Sequence, residues 1–236
     1  MIKLKKNDIM KKRKTGIDLL IESFNTYFVS LNSEERLLNP EIYHEKLVSC
    51  VDSLSEIFEE FLSFGKFKDN WDYNYFNDFL NGPELIIKSL KTNCTYGLGI
   101  NNERLFLSMH LNNAENLRYM DDLFWKNLLN LSDFEGFIYE EYEFIRDERR
   151  KEFPELFKTN KSMIFRILRK YIFDHTENHL QYLPGSVGEF KISAKFTDPL
   201  PSSIQKFSGA FKIMYKLNYS LWKIKDLKDK KDSFNN

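Results

Sequence analysis

The sequence predicts an α+β fold: a helical N-terminal third followed by a mostly antiparallel four-stranded sheet with helices packed on one face. Three patterns carry this expectation. Apolar residues recur with a helical period through the first 65 positions, a self-consistent hairpin is centred on Asn101-Asn102, and residues 189–196 alternate strictly.

The first helix is read from Ile17, Leu20, Ile21, Phe24, Tyr27, Phe28 and Leu31, which form one stripe of period 3.6. The second opens at Asn39-Pro40-Glu41. Asn suits the N-cap, Pro the first helical position, and Glu the positive end of the dipole. Its stripe runs from Leu47 to Leu62 and ends near Gly65. Shorter helices are expected over 72–80 and 83–90, separated by Asn81-Gly82-Pro83.

From Cys94 the period changes. A two-residue turn at Asn101-Asn102 pairs Leu98 with Leu105, Tyr96 with Leu107 and Cys94 with Met109 on one apolar face. The other face pairs Gly97 with Phe106 and Thr95 with Ser108, and is expected to be half exposed. Strands are thus expected at 93–100 and 103–111. A helix is read over Ala114–Leu131, a bulged aromatic strand over 136–145 and a helix over 160–177. Phe190, Ile192, Ala194 and Phe196 form the inner face of the last strand. Asp198-Pro199-Leu200-Pro201 stops it, and Ser202 or Ser203 caps a long final helix whose wet face holds Gln205, Lys212, Lys216 and Lys223. With no internal repeat and no low-complexity linker, the expected organisation is a basic tail (1–14), one α+β domain (15–225) and a charged C-terminal tail (226–236).

The formal net charge of zero conceals a segregation. Residues 1–15 hold seven bases against Asp8, and residues 223–232 hold five lysines against three aspartates, so the body between carries −8. Such a field selects partners by sign. The 22 Phe, 12 Tyr and 3 Trp supply ample core volume, which excludes a disordered chain. Two cysteines are too few for a disulfide framework and read as reduced thiols of a cytoplasmic protein. No apolar run reaches the length of a membrane span, and the basic start lacks the apolar core of a signal peptide. The Lys-, Asn- and Phe-rich composition fits an AT-rich genome, bacterial or phage.

Tyr119-Met120-Asp121-Asp122 matches the reverse-transcriptase tetrapeptide. That chemistry needs its carboxylates at a hairpin tip, and here the four residues fall in a helical stripe. His175 and His179 stand i, i+4, the spacing that puts two imidazoles on one helix face. The order His-Thr-Glu-Asn-His misplaces the carboxylate that His-Glu-x-x-His requires. Arg169-Lys-Tyr-Ile-Phe-Asp-His175 resembles the Arg-x4–6-His signature of HEPN ribonucleases. The resemblance implies metal-independent RNA cleavage by Arg169 and His175 on an all-helical bundle, with the N-terminal lysines as a contact for the phosphate backbone. No phosphate-binding glycine loop or nucleophile elbow is found, and no cofactor is implied.

The acidic body points elsewhere. Residues 133–148 interleave seven acids with Phe137, Tyr139, Tyr142 and Phe144, and residues 34–60 are also predominantly acidic. Acids mixed with aromatics suit docking on a basic protein, with charge speeding encounter and rings supplying the anchors. The expected function is therefore that of a non-enzymatic cytoplasmic binding protein that neutralises or regulates a basic partner, a toxin for example, as immunity proteins do. Its expected contact residues are Glu140, Glu141, Tyr142, Glu143 and Phe144. An accessory subunit of a larger complex is the remaining alternative.

Overall fold

The computed structural model describes residues 2–3, 17–79, 81–101, 104–141, 158–177, 187–195 and 198–234. The fold is α+β. Among the described residues there are six strands of five to nine residues: β2 (Trp71–Phe79), β3 (Gly82–Ser89), β4 (Thr95–Asn101), β5 (Arg104–His110), β6 (Phe137–Glu141) and β7 (Gly188–Lys195). A two-residue β1 (Ile2–Lys3) precedes them. The helices are α1 (Ile17–Leu31), α2 (Glu35–Leu38), α3 (Pro40–Gly65), α4 (Asp122–Ser132), α5 (Lys161–Glu177) and α6 (Leu200–Phe234). The four-strand expectation is thus too small, and helices are found beyond the N-terminal third as well as within it.

The chain forms two compact units, Met1–Leu107 with Ser193–Gly209, and Ser108–Ile192 with Ala210–Asn236. β5 and β7 contribute residues to both.

In the first unit the strand order is β1-β2-β3-β4-β5-β7, with β1–β2, β2–β3 and β3–β4 antiparallel. Residues 72–80 and 83–90, expected as helices, are the strands β2 and β3. In β3 Leu85, Ile87 and Ser89 are buried while Glu84, Ile86 and Lys88 are half-buried, a period of two. The chain reverses through Asn81, and Gly82 already pairs with Phe79 as the first residue of β3. Gly82 holds φ +142, and a Cβ there would stand 2.2 Å from the Ile100 carbonyl oxygen of β4, so this position requires glycine. The described part of the α1 stripe, from Phe24 to Phe28, and the α3 stripe are buried as the sequence predicts. Phe24, Tyr27, Leu47, Cys50, Leu54 and Phe61 are buried, and α3 lies against β3 and β4. Phe58 meets Trp71 and Tyr73 edge-on at centroid distances of 5.7 and 5.1 Å. Pro40 opens α3 without a side-chain cap from Asn39, and Lys66 closes it in the left-handed conformation.

The second face expected to be half exposed is buried at Gly97, Phe106 and Ser108, while Thr95 at the start of β4 is exposed. Asn101 belongs to β4 itself, and Asn102 lies outside the described residues. A Cβ on Gly99 would stand 2.6 Å from the Phe106 ring and 2.7 Å from the Pro83 carbonyl oxygen, so this glycine makes the room that Phe106 fills.

In the second unit the order is β5-β7-β6, with β6 and β7 antiparallel. Phe190 and Ile192 are buried as expected, and Tyr139 packs on Phe190 at 4.7 Å. Beyond Glu141, the strand expected over 136–145 lies outside the described residues. The expected helix over 114–131 is broken. A 3-10 turn covers Ala114–Tyr119, Met120 is extended, and α4 begins only at Asp122. Asp121 causes the restart, because its carboxylate accepts the Phe124 N–H at 2.9 Å. The final helix continues through 226–234, which the sequence reading assigns to a tail. Its inner side carries Asn218, fully buried, whose amide donates to the His110 carbonyl and accepts from the Asn112 N–H, both at 3.0 Å.

Candidate functional site

The residues expected to dock a partner are divided by the structure. Glu140 is exposed and pairs with Lys158 at 3.4 Å. Glu141 is buried at 6% exposure, because the alternation of β6 turns it inward with Phe137 and Tyr139. Tyr142, Glu143 and Phe144 lie outside the described residues. Of the named acids on β6, Glu140 alone faces solvent.

Arg169 is exposed on α5, next to Lys170, whose ammonium pairs with Asp174 at 3.4 Å. His175 continues the same helix, and His179 lies outside the described residues. Strands β2 to β7 separate this fold from the all-helical bundle that the HEPN signature implies. Among the described residues no group of three or more His, Cys, Asp or Glu is arranged to hold a metal. The reverse-transcriptase tetrapeptide is divided between the end of the 3-10 turn, the extended Met120 and the start of α4, with Asp121 engaged as a helix cap.

The second acidic segment does form a coherent edge, on the first unit. α2 follows α1 after a short turn and leads through Asn39 into α3. Within six consecutive positions Leu37, Leu38 and Ile42 are 84%, 68% and 45% exposed. Glu34, Glu41 and Glu45 are exposed beside them. The four-residue α2 buries none of its side chains, so polar contacts hold it. Glu35 accepts from Lys46 at 2.6 Å and from Ser30, and these donors, the ammonium first, hold its carboxyl below the usual range. Arg36 pairs with Asp78 at 3.3 Å and stacks over the Tyr43 ring at 5.4 Å.

Beneath this edge runs a chain of hydroxyls. The Tyr43 hydroxyl donates to Asp78 at 3.3 Å and lies 3.2 Å from that of Tyr27, which is fully buried. Burial pushes the Tyr27 phenol far above its ordinary 10.0, and the bond to Tyr43 adds to the rise. Tyr43 is raised as well, first by burial. Neither phenol ionises near neutral pH, so the network positions groups and does not move protons there. It anchors Arg36, and through Arg36 the exposed α2. Composition marked the segment 34–60 as acidic. Only the structure shows that its leucines point outward, because a four-residue helix is too short for periodicity to fix a face.

No helix among the described residues is long and apolar enough to cross a membrane. Comparisons with protein-family models, curated proteins and solved structures find no match to this chain.

Proposed function

We propose that this protein binds a basic protein partner through the edge formed by α2 and the start of α3, and that it acts as an inhibitor of the immunity-protein type. The observation that supports this most is the exposure of Leu37, Leu38 and Ile42 inside a rim of Glu34, Glu41 and Glu45. Large apolar side chains at that exposure leave unfavourable contact with water to be relieved by a partner, while the surrounding carboxylates draw in a basic one. The Arg36–Asp78–Tyr43 contacts hold α2 in place beforehand, which lowers the ordering cost of association. This reading moves the contact from 140–144 to 34–45 while keeping the sign of the partner.

Affinity capture identifies the partner, and binding kinetics against salt then test the site. Glu41→Lys with Glu45→Lys should lower the on-rate by about tenfold at low salt and less at high salt. Leu38→Ala should raise the off-rate with little change in the on-rate. Unchanged kinetics in both variants, with an effect from Glu140→Lys instead, would return the docking face to β6.

A further inference from the structure

The second unit holds a cleft of about 230 Å³ that the proposed docking function does not use. One wall is α6, contributing Tyr215, Lys216 and Tyr219, and the other is α4 with its N-cap, contributing Asp121, Phe124 and Asn127. The volume is below the roughly 300–1,000 Å³ of sites that enclose a drug-sized ligand, so it suits one ring system rather than a whole cofactor.

The chemistry of the walls narrows the occupant. Tyr215, Tyr219 and Trp222 follow the i, i+4, i+7 spacing and form a ladder along α6. Successive ring centroids are 5.9 and 5.3 Å apart, and the planes are tilted by 31° and 43°. Lys212, Lys216 and Lys223 are exposed along the same helix, beside the ladder. Flat rings interleaved with ammonium groups provide stacking and phosphate contact together. A neutral sugar would use the rings but gain nothing from three lysines. An acidic peptide would use the lysines but leave the carboxylate and amide of the cleft without a role.

Asp121 is fixed by its bond to the Phe124 N–H through Oδ1, which leaves Oδ2 as an acceptor. A carboxylate accepts and does not donate, so it favours a base edge carrying an amino group, and Asn127 offers both a donor and an acceptor beside it. From these features we infer that the α4–α6 cleft binds a nucleotide, with the base against Tyr215 and Tyr219 and its phosphate on Lys216. Adenine and cytosine are preferred over uracil. The nucleotide is either free or one unit of a single strand.

Fluorescence anisotropy of the full chain with labelled 12-nucleotide oligo(rA) and oligo(rU), and calorimetry with AMP, test this at low and moderate salt. Oligo(rA) should bind about tenfold more tightly than oligo(rU). Tyr219→Ala should weaken binding about 5- to 100-fold, while Tyr219→Phe retains it. Lys216→Ala, at an exposed position that does not threaten the fold, should reduce the salt slope by about 0.7 for one lost phosphate contact. Saturation by AMP at affinity similar to the oligomer identifies a free nucleotide as the ligand, and oligomer binding without AMP binding identifies a strand. Absence of binding by both probes overturns the inference. So does oligomer binding that Tyr219→Ala and Lys216→Ala leave unchanged, which would place the contact elsewhere, on the N-terminal lysines for example.

Discussion

The Tyr27 and Tyr43 hydroxyls meet at 3.2 Å across sixteen positions of sequence, joining α1 to α3. Tyr43 in turn donates to Asp78 on β2, so one hydroxyl couples two helices to a strand. Replacing Tyr43 by Phe removes both bonds and leaves Tyr27 with a buried hydroxyl lacking this neighbour. A loss of roughly 1–3 kcal/mol in urea unfolding is expected. The Tyr27→Phe, Tyr43→Phe double variant should lose less than the sum of the single changes, a coupling of about 0.5–1.5 kcal/mol.

Alkaline pH should destabilise the protein through its buried phenols. Burial raises the Tyr27 and Tyr171 phenols above their ordinary 10.0. Below that value both states keep the proton and the stabilisation is complete. Above it the unfolded chain ionises first, so ΔG falls as pH rises toward the folded values. Each phenol steepens the fall by up to about 1.4 kcal/mol per pH unit. Unfolding followed at pH 8 to 11 checks the sign, and Tyr27→Phe should flatten the slope.

Gly99→Ala drives a methyl group toward both the Phe106 ring and the Pro83 carbonyl oxygen. The expected cost is about 1–3 kcal/mol or more, since a ring can turn aside but a paired backbone oxygen cannot. Adding Phe106→Leu should recover only part of it, as read from thermal melts of both variants.

Asn218→Ala strips a donor from the His110 carbonyl and an acceptor from the Asn112 N–H. Roughly 2–4 kcal/mol should be lost. Asn218→Asp keeps the acceptor alone, and should therefore be less damaging at acid pH, where a protonated carboxyl can donate. Denaturant midpoints at pH 4 and pH 7 distinguish the two states.

Leu37→Ser and Leu38→Ser should leave stability within about 0.5 kcal/mol, because these side chains are largely exposed in the free protein. A large loss in either variant would show that the leucines serve the fold rather than a partner.

Long stripes were legible in the sequence. Those of α3 and α6 are long enough that Leu47 through Phe61 and Phe207 through Leu221 define a buried side without ambiguity. β7 was equally clear, because Phe190, Ile192 and Ala194 alternate with polar residues. β2 and β3 were misread because eight or nine residues fit either period. The deciding signal was the turn-forming cluster Asn81-Gly82-Pro83, which ends one short run and opens the next. The break at Met120-Asp121 was hidden for a related reason: Leu117 and Phe124 keep the helical spacing across it. Of the docking site, acidity was visible and location was not. Glu141 and Glu140 look alike in sequence, and strand parity alone sends one inward and the other outward.

Cys50 and Cys94 are thiols outside any disulfide, at 0% and 1% exposure, one inside α3 and one just before β4. Burial raises the Cys50 thiol well above its ordinary value, so the native form offers a labelling reagent neither access nor thiolate at this position. The first unit thus contains two built-in clocks. The rate at which each sulfur is modified reports how often its surroundings open, on the scale from local fraying to complete unfolding. If Cys94 reacts long before Cys50, the turn between β3 and β4 opens while the helical layer stays closed. If both react together, helix and sheet open as one cooperative body.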